Sequence, residues 1–378
     1  MQEIGKKISF EIRGDKAIVV LGIILMAISF LMAYSTSSNM VNLYAKHTNW
    51  FYLFKHFFIY TVSLLLFLLA INIPVEKYKK WALPMLWVSI FLLVWTFLFG
   101  VAPNGSHARR WIKLPFATIQ PSLIAIPVLL LYTSVYLDKI KHLKTSFKED
   151  VKKYWIYFFV VIGLIIPFNN STGAIGIVLV FTVLSIGGYP FRKLLIIIAI
   201  MFGLLAVYVG AAKAFPKYVP NRFDTLEGRI SDFLNGKERT QTLYAKIAIA
   251  RGGLFRFAPG KSVVKNLMSQ SSSDFVYSII IEEYGLVGGI LVLLLYVILF
   301  VYIVNIARLQ QDYFRKITAI ALGLPVITQA LLNMIVGTGI IPVTGQPLPL
   351  ISTGGTTIMM TVWSLGVIEK ISETVQKP

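Results

Sequence analysis

Long apolar stretches alternate with short polar segments along almost the entire chain. The ten apolar segments lie at about 17–35, 52–72, 82–102, 119–137, 154–168, 172–188, 191–212, 274–306, 313–340 and 354–376. Many of them approach or exceed the roughly 20 residues that an α-helix needs to cross the hydrocarbon core of a bilayer. The pattern therefore predicts an all-α polytopic membrane protein with about ten transmembrane helices, in a single transmembrane domain over residues 1–378.

The longest stretch without a spanning apolar run, residues 213–273, is predicted to be one long extracytoplasmic loop within this domain. It carries eleven Lys and Arg residues against four Asp and Glu residues. Long translocated loops are exempt from the charge bias of short loops, so this excess either keeps the loop soluble or attracts an anionic ligand. Inside the loop, residues 244–250 have apolar positions at helical spacing, which predicts a short interfacial helix ending at Gly252 and Gly253.

The distribution of charge indicates the orientation of the chain. The sequence is 56% hydrophobic and 14% charged, with a formal net charge of +19. Lys and Arg concentrate in one set of short loops, which includes both ends of the chain and a basic cluster at residues 139–153. Such a bias marks the cytoplasmic side, so both termini are predicted to be cytoplasmic. Because the bias accounts for most of the positive charge, no nucleic acid partner is predicted. The sequence has no cysteine, and its four histidines lack metal-ligand spacing, so no metal site is predicted.

Asp274 is the strongest candidate for a functional residue, because it lies where the long loop enters an apolar helix. An ionisable side chain at a membrane boundary is costly to keep there, which favours a functional role. Glu282, Glu283 and the nearby glycines make the same segment unusual for a plain membrane span. The alternative is structural: Ser273 or Asp274 caps the next helix by accepting hydrogen bonds from its free N–H groups.

Two further predicted extracytoplasmic loops carry candidate chemistry. In the loop at residues 103–122, Arg109 and Arg110 beside Trp111 suit either phosphate capture or an interfacial girdle of aromatic and basic residues. The loop at residues 337–357 contains three prolines and a glycine pair between two spans. Non-helical backbone at membrane depth must be buried in protein or line a wet cavity. This loop is therefore predicted to line a cavity, and the alternative is an ordinary proline-rich turn.

Three segments together resemble the SEDS family of membrane proteins, which includes FtsW and RodA. The first is GIIPVTGQPLPLISTGGTT at residues 339–357. The second is AKIAIARGGLFRFAPGKS at 245–262, followed by SDFVYSIIIEEYGLVGG at 273–289. The sequence of this last segment resembles the FtsW branch more than the RodA branch. The third is NGSHARRWI at 104–112, followed by IQPS at 119–122. Three matches in the right order and spacing make the resemblance specific.

The resemblance implies a peptidoglycan glycosyltransferase of the bacterial cytoplasmic membrane. Members of this family polymerise lipid II, a disaccharide-pentapeptide carried on undecaprenyl diphosphate, for cell division or cell shape. They work with a class B penicillin-binding protein, the transpeptidase that cross-links the strands. The essential acid of the family aligns with Asp274, and its phosphate-facing arginine aligns with Arg110.

In this interpretation, Asp274 is the catalytic residue and acts as a general base on the acceptor hydroxyl. Cations stabilise the charge that develops on the diphosphate leaving group. A divalent ion, Mg²⁺ or Mn²⁺, bridging the diphosphate is left open, although the sequence shows no metal cage. The candidate substrate-binding residues are Arg109, Arg110, Lys113, Gln120, Ser122, Lys261, Ser262, Ser273, Thr344 and Ser352.

The chain departs from the family pattern at several positions, and three of these departures bear on catalysis or on backbone strain. Leu123 and Ile126 replace a Glu and a Lys of the family, so that activity is in doubt if this pair serves catalysis. Replacing both members of a buried ion pair with apolar residues is often neutral for the fold. Arg256 replaces a glycine, which is strained if the site needs positive φ. Leu123 and Ile126 thus leave open a catalytically weakened scaffold that recruits the penicillin-binding protein. A second alternative is a flippase for a lipid-linked sugar, which the polar, broken segments near residues 169–172 and 338–357 would also serve.

Overall fold

The computed structural model describes residues 14–44, 48–102, 109–114, 118–141, 143, 145–214, 223–235, 239–268 and 270–375. Side chains are described for all of these except residues 38–44, 213, 223–226 and 230. Residues 104–108 of the arginine motif, residues 217, 222, 237 and 238 of the basic loop, and Ser269 lie outside this described part.

The described residues form thirteen α-helices and one small hairpin. The helices are α1 (Lys16–Tyr44), α2 (Asn49–Asn72), α3 (Val75–Phe99), α4 (Pro121–Ile140), α5 (Phe147–Asp150), α6 (Ile156–Ile165), α7 (Asn170–Ile186), α8 (Phe191–Ala214), α9 (Phe223–Leu234), α10 (Thr240–Gly252), α11 (Val276–Leu309), α12 (Tyr313–Thr338) and α13 (Gly355–Ser372). A π-helical turn at Val151–Trp155 joins α5 to α6, and a 3₁₀ turn occupies Val264–Leu267. Strands β1 (Ile112–Lys113) and β2 (Thr118–Ile119) pair antiparallel between α3 and α4.

The chain is an all-α polytopic membrane protein, as predicted. Each of the ten apolar segments overlaps one helix or one continuous helical run. Within the described residues, seven helices are long and apolar enough to cross a membrane: α1, α2, α3, α4, α8, α11 and α12. Of these, α4 and α12 are the most buried and form the centre of the bundle, whereas α8 is mostly exposed.

The stretch predicted as a long loop contains two helices. The amphipathic α9 precedes α10, and α10 ends at Gly252 as the sequence predicts. The α10 helix packs against α11 instead of lying only on an interface, since Ala245 and Ala248 are fully buried. A Cβ on Gly252 would lie 2.0 Å from the carbonyl oxygen of Ile281, so the contact between the two helices requires glycine there.

The long helix α11 is broken at Gly285, where φ is 73° and ψ is 177°. The break frees backbone N–H groups, and two of them are satisfied by the end of α10: Leu286 N donates to Gly253 O at 2.9 Å, and Val287 N donates to Leu254 O at 3.2 Å. A side chain at Gly285 would be strained and would meet the Leu254 carbonyl oxygen at 2.7 Å. The segment 276–284 therefore leaves the axis of α11, and its residues 276–283 are buried.

The segment between α12 and α13 is non-helical, and its later part, from Gln346 to Ser352, is largely buried in the bundle. Its carbonyl oxygens accept hydrogen bonds from hydroxyl groups on three helices: Tyr60 to Leu350, Tyr296 to Pro349, and Ser29 to Ile351. Leu350 is fully buried with a φ of 62°. This satisfies the requirement that irregular backbone at membrane depth finds partners inside the protein. We call the end of the bundle where α11 begins and α12 ends the loop end.

Candidate active site

A cavity of about 190 Å³ opens around Asp274 at the loop end, and we call it the site cavity. Its walls come from six separate parts of the chain. The lining residues are Arg110, Asn169, Asn170, Ser171, Arg229, Gln241, Gln270, Asp274, Val343, Thr344 and Gly345. Nearly all of them are polar. The segment 337–357 therefore lines a cavity, as the sequence predicts, with residues 343–345, while its later residues are buried in protein.

The backbone around Asp274 is held by the neighbouring helix. Asp274 N donates to Gln270 O at 3.1 Å. The Asn333 side chain of α12 donates to Asp274 O at 3.0 Å and to Ser273 O at 3.3 Å. The same amide donates to Gln346 O at 2.8 Å, which ties the Asp274 segment to the 343–346 segment. The Asn333 side chain therefore positions Asp274, the candidate catalytic residue, by holding the backbone of Asp274.

The helix-cap alternative for Asp274 is not supported by the geometry. The cap residue of α11 is Phe275, and no side chain caps the helix. The carboxylate of Asp274 instead faces Gly345, where an added Cβ would lie 3.5 Å from Oδ2. Ser273 is partly exposed, and its hydroxyl donates to Gln270 Oε1 at 2.9 Å. The Asp274 side chain is therefore available to the cavity.

Burial and charge act in opposite directions on the ionisable groups of the cavity. Burial raises the pKa of Asp274, and Ser273, Arg110 and Arg229 oppose that shift without cancelling it. Burial also lowers the pKa of Arg110, although Asp274 opposes this. An aspartate with a raised pKa is a stronger base than a solvent-exposed one, as general-base chemistry near neutral pH requires.

Arg110 enters the cavity from the short hairpin between α3 and α4. Val101 and Trp111 form a backbone bridge that fixes this loop on the end of α3. The Arg110 Nε is buried and has no hydrogen-bond partner among the described residues. Beside it, a narrow groove is lined by Arg109, Arg110, Ser122, Asn169 and the apolar residues Leu93, Phe97, Leu164, Ile165 and Phe168. A partly buried cation with an unused, buried N–H donor, next to an apolar groove, suits the phosphate of an amphiphile.

The first turn of α7 adds a positive end to the cavity. Asn169 caps this helix, its side chain accepting from Thr172 N at 3.2 Å, while Asn170 and Ser171 line the cavity. Helix N-termini carry free N–H groups and partial positive charge, which favour anions. Gln346 Nε2 donates to Thr172 Oγ1 at 3.0 Å and links this turn to the Asp274 network.

Two predicted site residues, Lys261 and Ser262, lie in a different cluster. The Ser262 hydroxyl donates to Glu282, and Ser262 N donates to Glu283 Oε1 at 3.2 Å. Gly260 N donates to Glu283 Oε2 at 3.0 Å, and Arg251 pairs with Glu282 at 3.2 Å. Both glutamates are fully buried, so their role is to hold the turn at residues 258–263 against α11. Lys261 is exposed on this turn.

The remaining predicted residues divide between the cavity and its surroundings. Thr344 lines the cavity with Asp274 and Arg110, and Arg109 and Ser122 line the adjoining groove. Gln120 Nε2 donates to Ser122 Oγ at 3.0 Å at the start of α4. Two predicted residues do not line the cavity. Lys113 is exposed on β1, and Ser352 is buried, with its hydroxyl donating to Leu348 O at 2.7 Å.

The three departures from the family pattern lie away from the site cavity. Leu123 lines a small gap between α4, α12 and α13, and Ile126 packs over Gly176 of α7. Both are buried, at 7% and 4% exposure, so they continue the core of the bundle. Arg256 has an ordinary negative φ, since Leu350 is the one non-glycine residue with positive φ in the described chain. The predicted strain at Arg256 is therefore absent.

Several residues that line the cavity were not predicted from the sequence. Arg229 and Gln241 come from α9 and α10 of the long loop, and Gln270 comes from the turn before Asp274. Asn169 and Asn170 form a polar junction between two apolar segments, and this interruption is the sequence feature that could have indicated them. Arg229 was one of eleven cations in the loop, and nothing in its immediate sequence distinguishes it.

The part of the chain that the structure describes contains no group of three or more His, Cys, Asp or Glu residues placed to hold a metal ion. Asp274 is the one carboxylate among the residues that line the site cavity. A divalent ion bound there would take most of its ligands from a bound phosphate or from water, as Mg²⁺ commonly does.

Comparisons with known proteins agree with the fold and the motifs. A family model described as a cell cycle protein, covering FtsW, RodA and SpoVE, matches residues 15–377. The probable peptidoglycan glycosyltransferase FtsW of Trichlorobacter lovleyi is 26% identical over 367 residues, which is 95% of this chain and 93% of that protein. The protein of the same name from Bacillus subtilis is 28% identical over 373 residues, which is 95% of this chain and 90% of that protein.

Solved structures share the fold at low identity. A chain from a peptidoglycan synthase complex that coordinates polymerization and crosslinking matches with a TM-score of 0.71 at 22% identity, over 97% of this chain and 99% of that chain. The rod shape determining protein RodA of Thermus thermophilus matches with a TM-score of 0.68 at 23% identity, over 97% of this chain and 98% of that chain. The fold is thus common to this chain and to RodA, and the family model extends over nearly the whole sequence. The chain therefore belongs to the FtsW, RodA and SpoVE family of polytopic membrane proteins, the SEDS family.

Proposed function

We propose that this chain is a peptidoglycan glycosyltransferase that polymerises lipid II at the outer face of the bacterial cytoplasmic membrane. The observation that carries the proposal is the site cavity, where one partly buried carboxylate faces two arginines and the N-terminus of α7. Relatives that match 95% of the chain carry the name of this activity. In this orientation the loop end faces outward and both termini are cytoplasmic, which agrees with the bias of Lys and Arg among the loops.

The proposed reaction transfers a growing glycan strand from one lipid diphosphate to a new lipid II. Asp274 accepts the proton of the acceptor sugar's hydroxyl as its oxygen attacks the anomeric carbon of the donor. The bond from that carbon to the diphosphate breaks, and the bonding electrons leave with the diphosphate. Arg110 and the first turn of α7 stabilise the added negative charge.

A single carboxylate is sufficient for this chemistry. Hydrolysis of glycosidic bonds commonly uses two carboxyl groups, because one must protonate the glycosidic oxygen as it leaves while the other acts as base or nucleophile. A lipid diphosphate is already a good leaving group and needs cations instead of an acid. A divalent cation such as Mg²⁺ or Mn²⁺ fits this proposal as a further neutralising charge on the diphosphate, held chiefly by the substrate.

The proposed partner is a class B penicillin-binding protein that cross-links the new strands. Such a partner has one membrane span, so the contact would include lipid-facing helices as well as the loop end. The peptidoglycan synthase complex that shares this fold joins polymerization with crosslinking, which supports a paired enzyme here.

The position of the charged groups favours a polymerase over a flippase. Arg110, Arg229 and Asp274 all lie at the loop end, whereas a flippase needs polar groups along its whole path. A pure scaffold has no use for a partly buried carboxylate beside two arginines. In the central helix α4, the buried positions 123 and 126 are occupied by the apolar residues Leu123 and Ile126 and carry no charge.

The test is polymerisation of labelled lipid II by the purified protein in detergent or nanodiscs, with and without its penicillin-binding partner. We expect long glycan strands that a muramidase digests to disaccharide units. The flippase function would be supported instead if the folded, partner-bound chain yields no strands but moves labelled lipid between the leaflets of a vesicle. A folded chain that binds its partner but neither makes strands nor moves the lipid would support the scaffold function instead.

A further inference from the structure

The turn at residues 253–263, between α10 and the 3₁₀ turn, carries exposed side chains that the proposed reaction does not use. We call it the 253–263 turn. Two main-chain hydrogen bonds hold it beside the straight part of α11: Leu286 N donates to Gly253 O at 2.9 Å, and Val287 N donates to Leu254 O at 3.2 Å. None of its residues lines the site cavity. The turn is thus a separate feature of the loop end.

The position of α11 sets the height of this turn in the membrane. From Leu286 to Leu309 the helix is long enough to cross the roughly 30 Å hydrocarbon core, since each residue adds about 1.5 Å. Its exposed apolar side chains begin at Leu286 and Ile290, which are 40% and 43% exposed. Leu286 therefore lies at the boundary of the bilayer, and the turn that is hydrogen-bonded to it lies at the same level.

Three large apolar side chains of the turn are exposed. Leu254, Phe255 and Phe257 are 58%, 77% and 82% exposed. The ring of Phe257 meets that of Tyr284 edge to face, with 6.0 Å between the centroids, which keeps it on the side of α11. Water solvates such a cluster poorly, whereas the boundary between lipid headgroups and acyl chains accommodates aromatic and leucine side chains. The cluster therefore suits contact with the leaflet at the loop end.

Cations accompany these apolar side chains. Two buried glutamates beneath the turn are matched by two cations: Arg251, which pairs with one of them at 3.2 Å, and buried Lys265, which both attract. Neither Arg256 nor Lys261 forms an ion pair within the described part of the chain. Arg256 Nη1 donates to the neutral carbonyl oxygen of Arg251 at 2.7 Å, and Lys261 is exposed. These two charges are therefore not neutralised by the turn itself.

We propose that the 253–263 turn enters the leaflet at the loop end and binds the headgroup of an anionic phospholipid through Arg256 and Lys261. A guanidinium group suits a lipid phosphate, and a lysine near an anionic leaflet adds electrostatic attraction. Phe255 and Phe257 supply the apolar part of the contact. Such binding fixes the height of α10 and of the first segment of α11 relative to the bilayer, and both of these carry residues next to or within the site cavity. Arg256 departs from the family pattern, so the site is a property of this chain.

The test uses the absence of cysteine from the sequence. Val263→Cys, at a 53% exposed position of the turn, is labelled with a bimane fluorophore in the full-length protein in nanodiscs. Phosphatidylglycerol or phosphatidylcholine with a nitroxide on its acyl chain is the quencher, so the signal comes from lipid beside the turn and not from free phosphate. We expect phosphatidylglycerol to quench at a lower mole fraction, by about fivefold for each cation. The double variant Arg256→Gln, Lys261→Gln should lose this preference.

Two controls separate charge from structure and from other lipid contacts. Arg308→Gln, Lys316→Gln removes the same two residue types from exposed positions at the other end of α11 and the start of α12, and should keep the preference. Arg256→Lys, Lys261→Arg keeps both charges and should keep it as well. If the double variant unfolds, Lys261→Gln alone should lower the preference by about fivefold.

Three results would overturn the proposal. Equal quenching of the wild type by the two lipids would exclude an anionic headgroup site, and a preference retained by the folded double variant would exclude Arg256 and Lys261. Loss of all quenching when the penicillin-binding partner is added would assign the turn to a protein contact instead. The measurement needs no turnover, so its outcome is independent of the proposed polymerase activity.

Discussion

Replacing Asp274 with asparagine is expected to reduce the rate of glycan strand formation by about 10²–10⁴-fold, the usual contribution of a general base. Asparagine has the same shape but cannot accept the proton of the acceptor hydroxyl. The backbone bonds of Asp274 to Gln270 and Asn333 do not involve its carboxylate, so the fold should be retained. The rate is measured with labelled lipid II and the purified variant, with its partner present.

The matched control is Asp138→Asn. Asp138 lies at the other end of the bundle, where it pairs with Lys79 in a partly exposed ion pair. Such pairs contribute about 0–1 kcal/mol to stability, and neither residue of this one lines the site cavity. We expect strand formation near the wild-type rate. An Asp274→Asn variant that keeps wild-type activity would exclude this carboxylate as the base.

Replacing Arg110 with glutamine is expected to slow strand formation by roughly 10²-fold, in the range seen when one preorganised charge-stabilising donor is removed. Arg110 is partly buried in the wall of the site cavity, and its buried Nε has no partner among the described residues. Its charge should therefore be used mainly when the donor diphosphate is bound. Arg110→Lys keeps the charge but loses the planar fork, so an intermediate rate is expected.

Arg308→Gln serves as the control for Arg110, since Arg308 is exposed in the last turn of α11. The comparison is made as kcat and KM for lipid II, together with the temperature of thermal unfolding. Equal rates for Arg110→Gln and the wild type, with both folded, would remove Arg110 from the proposed mechanism.

The sequence predicts the helical membrane architecture well, because apolar stretches of spanning length have few other solutions. It also selects Asp274 and Arg110, since a charge at a membrane boundary is costly and the family resemblance places both. Thr344 could be placed at a cavity for a similar reason, as a polar residue in a proline-rich segment between two spans. These residues lie together in the site cavity.

Other parts of the site could not be read from the sequence. Arg229 and Gln241 reach the cavity because α9 and α10 return over the loop end, and that path depends on packing over long sequence distances. The acceptors of Ser262 and Gly260 were equally hidden: Glu282 and Glu283 look functional in sequence, but both accept hydrogen bonds from the turn at residues 258–263. Polar residues near a motif are thus divided between structure and chemistry only by three-dimensional contacts.

Leu123 and Ile126 show how the departure from the family is accommodated. Each packs against a different neighbour, Leu123 against α12 and α13 and Ile126 against α7. With both charges replaced, no buried ion is left without a partner at these two positions. Since neither residue lines the site cavity, the proposed mechanism does not require the charged pair.

The most direct test of the central claim, that Asp274 accepts the proton, is the pH dependence of strand formation by the wild type. The carboxylate must be ionised to act, and burial raises its pKa above that of an ordinary aspartate. Activity should therefore fall as pH falls through this raised pKa, at a higher pH than an exposed aspartate would give. The expected profile of kcat/KM has a single ionisation on its acid limb, and Asp274→Glu should move that limb. A profile that stays flat down to about pH 4, the range of an unperturbed aspartate, would contradict the account.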